Sequence, residues 1–394
     1  MRPDLLRAFA YCWVALAAVF YAIDQWTVTR QGLTDGIDRP LGWDFINSWS
    51  GAYLAWHGKA RLVYDWNAFH AFQQSLVGGP IDSFHYSYPP PLLALSAPFA
   101  FLPYVPALAA WLVASWLCFY AALRLAMPRG ALLLSLATPA LFINAIGGQN
   151  GAWSAALLGG GLSLLERRPV AAGMLFGLFV YKPHLALLIP VALIAGRQWR
   201  ALIAAGVTTV IVLALSVVLF GPDVWADWLR NVSVLREAFL ERGDGVWHRM
   251  LSVFVFTRHL GFDLTAAYGA QMAAAVMTAA IVGYVWLHDV PAPGRNALLV
   301  LGTCLVTPYL HDYDLVFGAF VAAWLMAQAV DRPELQRQAF LASALILLLP
   351  FVSSLLAKLT GFSFGPVFIV PAFVIALRMA FAQRHAMTAV PAAR

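Results

Sequence analysis

Residues 199–220 read WRALIAAGVTTVIVLALSVVLF, a run of 22 residues in which only Arg200 carries a charge. A helix of roughly 20 apolar residues is long enough to cross the hydrocarbon core of a bilayer. Similar apolar runs occupy residues 8–27, 265–287 and 338–356. The pattern predicts an all-α, polytopic membrane protein with about 12 transmembrane helices.

The composition excludes an ordinary soluble fold. Of the 394 residues, 61% are hydrophobic and 11% are charged, whereas a soluble domain has about 25% charged residues. The run at 8–27 lacks a small-x-small cleavage site and is followed by many more spans, so we expect it to be retained as the first helix. The whole chain, 1–394, is therefore predicted to be a single integral membrane domain.

The net charge of +6 does not indicate nucleic-acid binding, because Lys and Arg occur in short clusters between apolar runs. Such clusters favour the cytoplasmic side of a membrane. With the N-terminus inside, segments 28–87 and 221–262 and the connector 309–314 are external. The basic clusters assigned to the cytoplasm are Arg2 with Arg7, Arg197 with Arg200, His288 to Arg295, Asp331 to Arg337, and Arg384.

Two stretches allow two topologies each. Segment 88–127 fits either a hairpin of two spans or a re-entrant piece followed by one span. Segment 169–195 enters the membrane and returns if Glu166-Arg167-Arg168 is cytoplasmic, and it forms one long span if that cluster is external.

The external segments have helical periodicity of their own. In 45–57, Phe45, Trp49 and Trp56 recur at helical spacing opposite polar residues such as Asn47 and Ser48, and the stretch from Trp66 to Val77 repeats this pattern. A third apolar stripe runs through 221–262. We expect amphipathic interfacial helices on the external face.

Asp44 directly precedes the first of these helices. A general base that acts on a lipid-linked substrate and a water-borne acceptor has to lie at the membrane boundary, which makes Asp44 a candidate catalytic residue. Asp is also a favoured N-cap residue, so a purely structural role fits the same position.

Lys182 and Pro183 interrupt the apolar stretch 169–195. An ionisable residue at that depth is costly and usually functional, and Pro183 breaks the helix around it. Lys182 and His184 are therefore candidate ligands of a phosphate group. The alternative is a hairpin tip that only reaches the lipid headgroups. In 221–262, Arg249 is the preferred further phosphate ligand among several interfacial cations.

Three further motifs carry polar groups suited to substrate binding. The connector 309–314 holds His311 and Asp312, which suit an acceptor hydroxyl; a divalent metal is not excluded there, but we assign no metal and no cofactor. Gln149 and Asn150 follow two glycines and offer donors and acceptors for sugar hydroxyls, although such a motif alone is often only a turn. Tyr88 precedes three prolines that begin an apolar run.

The order of these motifs resembles glycosyltransferase family 87, also called DUF2029, of the C-type glycosyltransferase superfamily. The resemblance covers roughly residues 40–320. It rests on Asp44, Ala52-Tyr53, Gly58, Leu62-Val63-Tyr64-Asp65, Tyr88-Pro89-Pro90-Pro91, Leu102-Pro103, Gly148-Gln149-Asn150, and Gly173 with Tyr181-Lys182-Pro183.

The resemblance implies an inverting transferase with a polyprenyl-phosphate-linked sugar donor, mannose being the best-known sugar, and a lipid or glycan acceptor. It implies an integral protein of a bacterial inner membrane with its active site facing the periplasm. In that superfamily a carboxylate of the first external loop is the base, which corresponds here to Asp44.

Two other classes compete with this hypothesis. Broken helices with polar groups also mark lipid or solute transporters and flippases, for which inverted repeats are typical. A scaffold protein would tolerate substitution of Asp44 and Lys182.

Overall fold

The computed structural model describes residues 3–243, 245–288 and 290–388. These residues form 19 α-helices joined by short 3-10 and π segments. The helices are α1 Pro3–Val28, α2 Phe45–Trp56, α3 Trp66–Val77, α4 Pro91–Leu95, α5 Ala97–Ala100, α6 Tyr104–Ala126, α7 Ala131–Ala137, α8 Pro139–Ile146, α9 Gly151–Leu164, α10 Pro169–Leu178, α11 Leu188–Ala195, α12 Trp199–Phe220, α13 Pro222–Leu235, α14 Val253–His259, α15 Leu264–Leu287, α16 Ala292–Val306, α17 Gly318–Ala329, α18 Pro333–Thr360 and α19 Gly365–Thr388.

Six helices of the described chain are long and apolar enough to cross a membrane: α1, α6, α12, α15, α18 and α19. Their outer faces expose large apolar side chains, as at Ile203, Val218 and Met272, which is the arrangement expected of helices in contact with lipid. The all-α polytopic class is confirmed. Other apolar runs are divided into shorter helices, among them α10, α11 and α16.

Helix breaks and packing favour one of the two arrangements for each stretch with open topology. Segment 88–127 forms two short helices, α4 and α5, followed by the single long helix α6. This is the arrangement of a re-entrant piece followed by one span.

Segment 169–195 enters and returns. A Cβ atom at Gly173 would lie 2.3 Å from the Ala201 carbonyl oxygen, and one at Gly177 would lie 2.6 Å from that of Ala205. From the first contact to the second, the position on each helix increases by four residues, so α10 and α12 run parallel. The chain between them must therefore reverse direction in α11. Arg295 also forms an ion pair with Glu166 at 2.8 Å, which places the 166–168 cluster beside the basic connector that precedes α16.

The helix α2 exists where periodicity predicts it, but its polar face is not exposed. Ten of its twelve residues are buried. Asn47 Oδ1 accepts a hydrogen bond from Gln73 Nε2 of α3 at 2.9 Å, so the face expected to contact water packs beneath α3. The prediction of an interfacial α2 was therefore wrong in this respect, because periodicity identifies two faces but not the element that covers each.

The middle of the molecule is formed by α9, α16 and α17, which are buried along most of their length. Small residues bring these helices together; a Cβ atom at Gly159 would overlap the ring of Phe320. The loops at the ends of these helices meet on the side of the external segments, where they form the site described next.

Candidate active site

Asp44 is held in place by an unusual backbone turn. Gly42 and Trp43 both have positive φ angles, 73° and 43°, and the second is uncommon for a residue with a side chain. Such backbone strain is concentrated at functional sites in proteins. The turn places Asp44 at the start of α2, where its side chain makes no capping hydrogen bond. Capping therefore does not account for this carboxylate.

The Asp44 carboxylate instead contacts two groups from distant parts of the chain. Gln149 Nε2 donates a hydrogen bond to Asp44 Oδ2. Arg249 Nη1 lies 3.5 Å from the same oxygen, and the Asp44 side chain remains 29% exposed. Two of the predicted site residues thus lie directly beside the predicted base.

Gly148 explains how Gln149 reaches Asp44. It adopts φ +55°, and a Cβ atom there would lie 2.4 Å from Phe45 Cβ and 2.7 Å from the Gly42 carbonyl oxygen. Only glycine permits this approach of the 147–150 loop to the start of α2. Trp111 Nε1 then fixes the loop by donating to the Gln149 carbonyl oxygen at 3.1 Å.

Arg249 joins the two external carboxylates of the site. Its Nε and Nη2 atoms donate to Asp312 at distances of 3.2 to 3.3 Å. The backbone supports this contact, because Leu251 N donates to the Leu310 carbonyl oxygen at 2.9 Å and Met250 forms a β-bridge with His311. The second external segment is therefore fastened to the 309–314 connector.

Lys182 lies one layer deeper. Its Nζ atom donates to Asp314 Oδ1 at 2.5 Å, and the two side chains are 2% and 0% exposed. Lys182 Nζ and Arg249 Cζ both lie over the Tyr313 ring, 4.6 Å and 5.5 Å from its centroid.

The remaining predicted residues surround this centre. His311 Nδ1 lies 3.0 Å from the Tyr309 carbonyl oxygen, and its ring stacks on Tyr313 at 5.4 Å. The His184 ring lies 5.9 Å from that of Tyr309. These contacts place both histidines at the 309–314 connector.

Tyr88 and Asn150 lie next to each other at this centre. The Tyr88 side chain is close to Asn150 and Tyr313. Asn150 is 2% exposed, and within the described chain its Oδ1 atom has no hydrogen-bond partner. A buried unpartnered amide oxygen is costly unless a ligand satisfies it.

Sequence reasoning singled out all but two of the residues at this centre. These two are Tyr313 and Asp314, which belong to the 309–314 connector but are not among the residues that the sequence assigns to the site. Both are buried, and their position directly after Asp312 in the sequence is the only available signal.

The electrostatics of the outer layer suit proton transfer. Burial raises the pKa of Asp44 above its usual 3.8, the neighbouring Arg249 opposes this rise, and Asp312 adds to it. For Arg249, burial acts to lower the pKa, but Asp312 and Asp44 raise it overall above its usual value. Arg249 is thus a permanent cation beside a carboxylate that is more basic than usual.

The model of glycosyltransferase family 87 matches residues 86–308, more than half of the chain. The chain belongs to glycosyltransferase family 87. Comparison with curated proteins and with solved structures finds no significant match. Within the family 87 segment lie Tyr88, Gln149, Asn150, Lys182, His184 and Arg249, while the 309–314 connector follows its end directly and Asp44 lies well before its start. The protein is therefore a membrane glycosyltransferase.

Proposed function

We propose that this family 87 protein transfers a sugar, mannose in the first instance, from a polyprenyl-phosphate-linked donor to a lipid or glycan acceptor. The transfer takes place with inversion, at the periplasmic face of a bacterial inner membrane. The observation that carries the proposal is the partly exposed Asp44 carboxylate between the Gln149 amide and the Arg249 guanidinium.

Asp44 acts as the general base. The acceptor oxygen forms a bond to the anomeric carbon while the bond from that carbon to the phosphate oxygen breaks. The acceptor proton passes to Asp44, and the lipid phosphate leaves with the bonding electron pair. The raised pKa of Asp44 supports this role, because a more basic carboxylate takes up the proton more readily.

Arg249 is the cation placed to meet the departing phosphate. Its side chain is 20% exposed, whereas that of Lys182 is 2% exposed and paired with Asp314. The distance of 3.5 Å between Arg249 Nη1 and Asp44 Oδ2 makes this a weak contact. The guanidinium group can therefore turn toward a phosphate while it keeps its hydrogen bonds to Asp312. Lys182 and His184 would support the phosphate from the deeper layer. Fixed cations near the leaving oxygens stabilise the transition state.

Inversion is expected because the other two carboxylates of the site are held in ion pairs and are not available as nucleophiles. Asp312 is held by Arg249 and Asp314 by Lys182, which leaves Asp44 as the carboxylate with room for a substrate. By analogy with glycoside chemistry, one base without a second nucleophilic carboxylate supports direct displacement.

An apolar cavity beside the site supports a lipid-linked donor. It has a volume of about 200 Å³ and is lined by Asn150 together with Leu92, Leu95, Phe99, Trp111, Trp153, Leu157, Leu178 and Tyr181. We assign it to the first isoprene units of the donor, since its lining is almost entirely apolar or aromatic and Asn150 adjoins Gln149 of the catalytic centre. The unpartnered Asn150 Oδ1 atom would accept a hydrogen bond from the donor sugar.

The test is sugar transfer by the purified protein in nanodiscs, with radiolabelled polyprenyl-phosphate sugars and a membrane lipid extract. Asp44→Asn is expected to lower the rate by about a thousandfold. Asp82→Asn, an exposed carboxylate of the same external segment, is the matched control and should transfer normally. Unchanged transfer by a folded Asp44→Asn protein would contradict the proposal, and the anomeric configuration of the product tests inversion.

A further inference from the structure

A second cleft, of about 600 Å³, lies between the two external segments. None of the catalytic-site side chains described above lines it. The polar residues that do so are Arg61, Asp65, Trp66, Asp227, Arg230 and Asn231. A cavity of this size is in the range of small-ligand sites.

The walls of the cleft are fixed by contacts between the segments. Arg61 Nε donates to Asp227 Oδ2 at 2.7 Å, and Trp66 Nε1 donates to Asn231 Oδ1 at 2.8 Å. The Trp66 ring also stacks on His85 at a centroid distance of 3.7 Å. A ligand would therefore meet a preformed surface, which reduces the entropy lost on binding.

The charges of the cleft balance, which indicates the class of ligand. Two guanidinium groups, Arg61 and Arg230, both pair with Asp227, and Asp65 adds a second carboxylate. A phosphate would have to compete with Asp227 for both cations, and a polycation would be repelled by them. Neighbouring donors and acceptors beside an indole ring suit an uncharged ligand with many hydroxyl groups.

The inner wall of the cleft connects directly to the active site. Tyr64, which lines the cleft, donates its hydroxyl to the Tyr88 carbonyl oxygen at 3.0 Å. Asn231 Nδ2 donates to the Tyr86 carbonyl oxygen at 3.2 Å. The 86–88 segment thus has the cleft on one side and, through the Tyr88 side chain, the catalytic centre on the other.

We infer that this cleft binds the neutral glycan portion of the acceptor, at sugar units beyond the one that receives the new residue. The identification of the ligand as the acceptor rests on the proposed function. The binding of a neutral glycan is argued from the cleft alone. It predicts that acceptors with several sugars bind better than those with one.

The test is equilibrium binding to the full chain in nanodiscs, without donor, of a panel of labelled neutral tetrasaccharides of mannose, glucose, galactose or arabinose. At least one should bind, and Arg230→Ala should weaken that binding about tenfold. Arg236→Ala, an exposed external cation outside the cleft, should leave it unchanged. Binding by none of the panel, equal binding by Arg230→Ala, or competition by inorganic phosphate would overturn the inference.

A second readout guards against loss of folding and separates the two proposals. Trp66→Phe keeps an aromatic ring but removes the N–H that holds Asn231, and it should weaken glycan binding at a temperature where thermal scans show this variant and Arg236→Ala to be equally folded. Asp44→Asn should bind the glycan like the native protein. If Asp44→Asn also transfers sugar, the proposed function fails while the glycan result stands.

Discussion

Lys182 Nζ lies 2.5 Å from Asp314 Oδ1, and this ion pair joins the tip of the α10–α11 hairpin to the 309–314 connector inside the protein. Neither partner has appreciable contact with solvent. The Tyr313 ring contacts both Lys182 of this pair and Arg249, whose own pair with Asp312 is the more exposed of the two. The site is therefore built in two charged layers, of which only the outer one includes a partly exposed carboxylate.

The inner pair predicts a stability pattern. Asp314→Leu leaves a buried, unpaired ammonium group and should lower the free energy of unfolding by about 3–5 kcal/mol. Lys182→Met combined with Asp314→Leu removes both charges and should recover most of that loss. Unfolding in mixed detergent micelles measures both. A double variant as unstable as the single one would show that the loss comes from packing.

The raised pKa of Asp44 predicts that activity is lost at a higher pH than an ordinary aspartate would cause. Asp44 must be ionised to accept a proton, so the transfer rate falls as the pH drops through its pKa, which lies above 3.8. Arg249→Met removes the cation that lowers this pKa and should move the acidic limb of kcat/KM to still higher pH. The pH profile is the readout, because the rate alone also reflects phosphate binding.

The matched control for that profile is Arg236→Met, which removes an external cation paired with Glu241. Its acidic limb should coincide with that of the native protein. A shift of equal size in both variants would mean that general surface charge, and not the contact with Asp44, sets the limit.

Gly148→Ala should reduce transfer about a hundredfold, because the added Cβ atom would overlap Phe45 Cβ and move Gln149 away from Asp44. Gly58→Ala is the matched control: Gly58 also has a positive φ, but a Cβ atom there meets nothing within 4 Å. Both variants carry the backbone cost, and only Gly148→Ala carries the clash. Equal activity of the two would contradict the assigned role of the 147–150 loop.

Filling the apolar cavity should discriminate between donors. Leu95→Trp places a larger side chain at its wall and should lower kcat/KM for a long polyprenyl donor about tenfold, with less effect on a donor with a short chain. Leu102→Trp, at a similarly exposed position outside the cavity, should change neither value. Equal losses for both donors would place the lipid chain elsewhere.

The sequence predicted where helices form better than it predicted which helices pack against each other. The α3 helix spans Trp66–Val77 as its apolar spacing predicted, because a 3.6-residue period is a local property. The burial of Asn47 against Gln73 could not be predicted in the same way. It depends on which element packs on α2, and no local pattern contains that information.

In the site, too, the sequence identified individual residues but not the contacts between them. Asp44 and Gln149 were selected from separate motifs, and their hydrogen bond joins positions 105 residues apart. The Lys182–Asp314 pair spans 132 residues and leaves no spacing that sequence reasoning can detect. The positive φ of Trp43 is also invisible in the sequence, since a tryptophan does not signal that conformation.

The length of α10 has a consequence for the lipid substrate. Its ten residues span about 15 Å, close to half the thickness of the hydrocarbon core, before the hairpin tip with Lys182 begins. In the proposed reaction the donor phosphate moves from the headgroup layer toward the depth of the hairpin tip. In a bilayer with shorter acyl chains this distance would be smaller. Turnover should then depend on the thickness of the surrounding membrane as well as on the chemistry of the bond being broken.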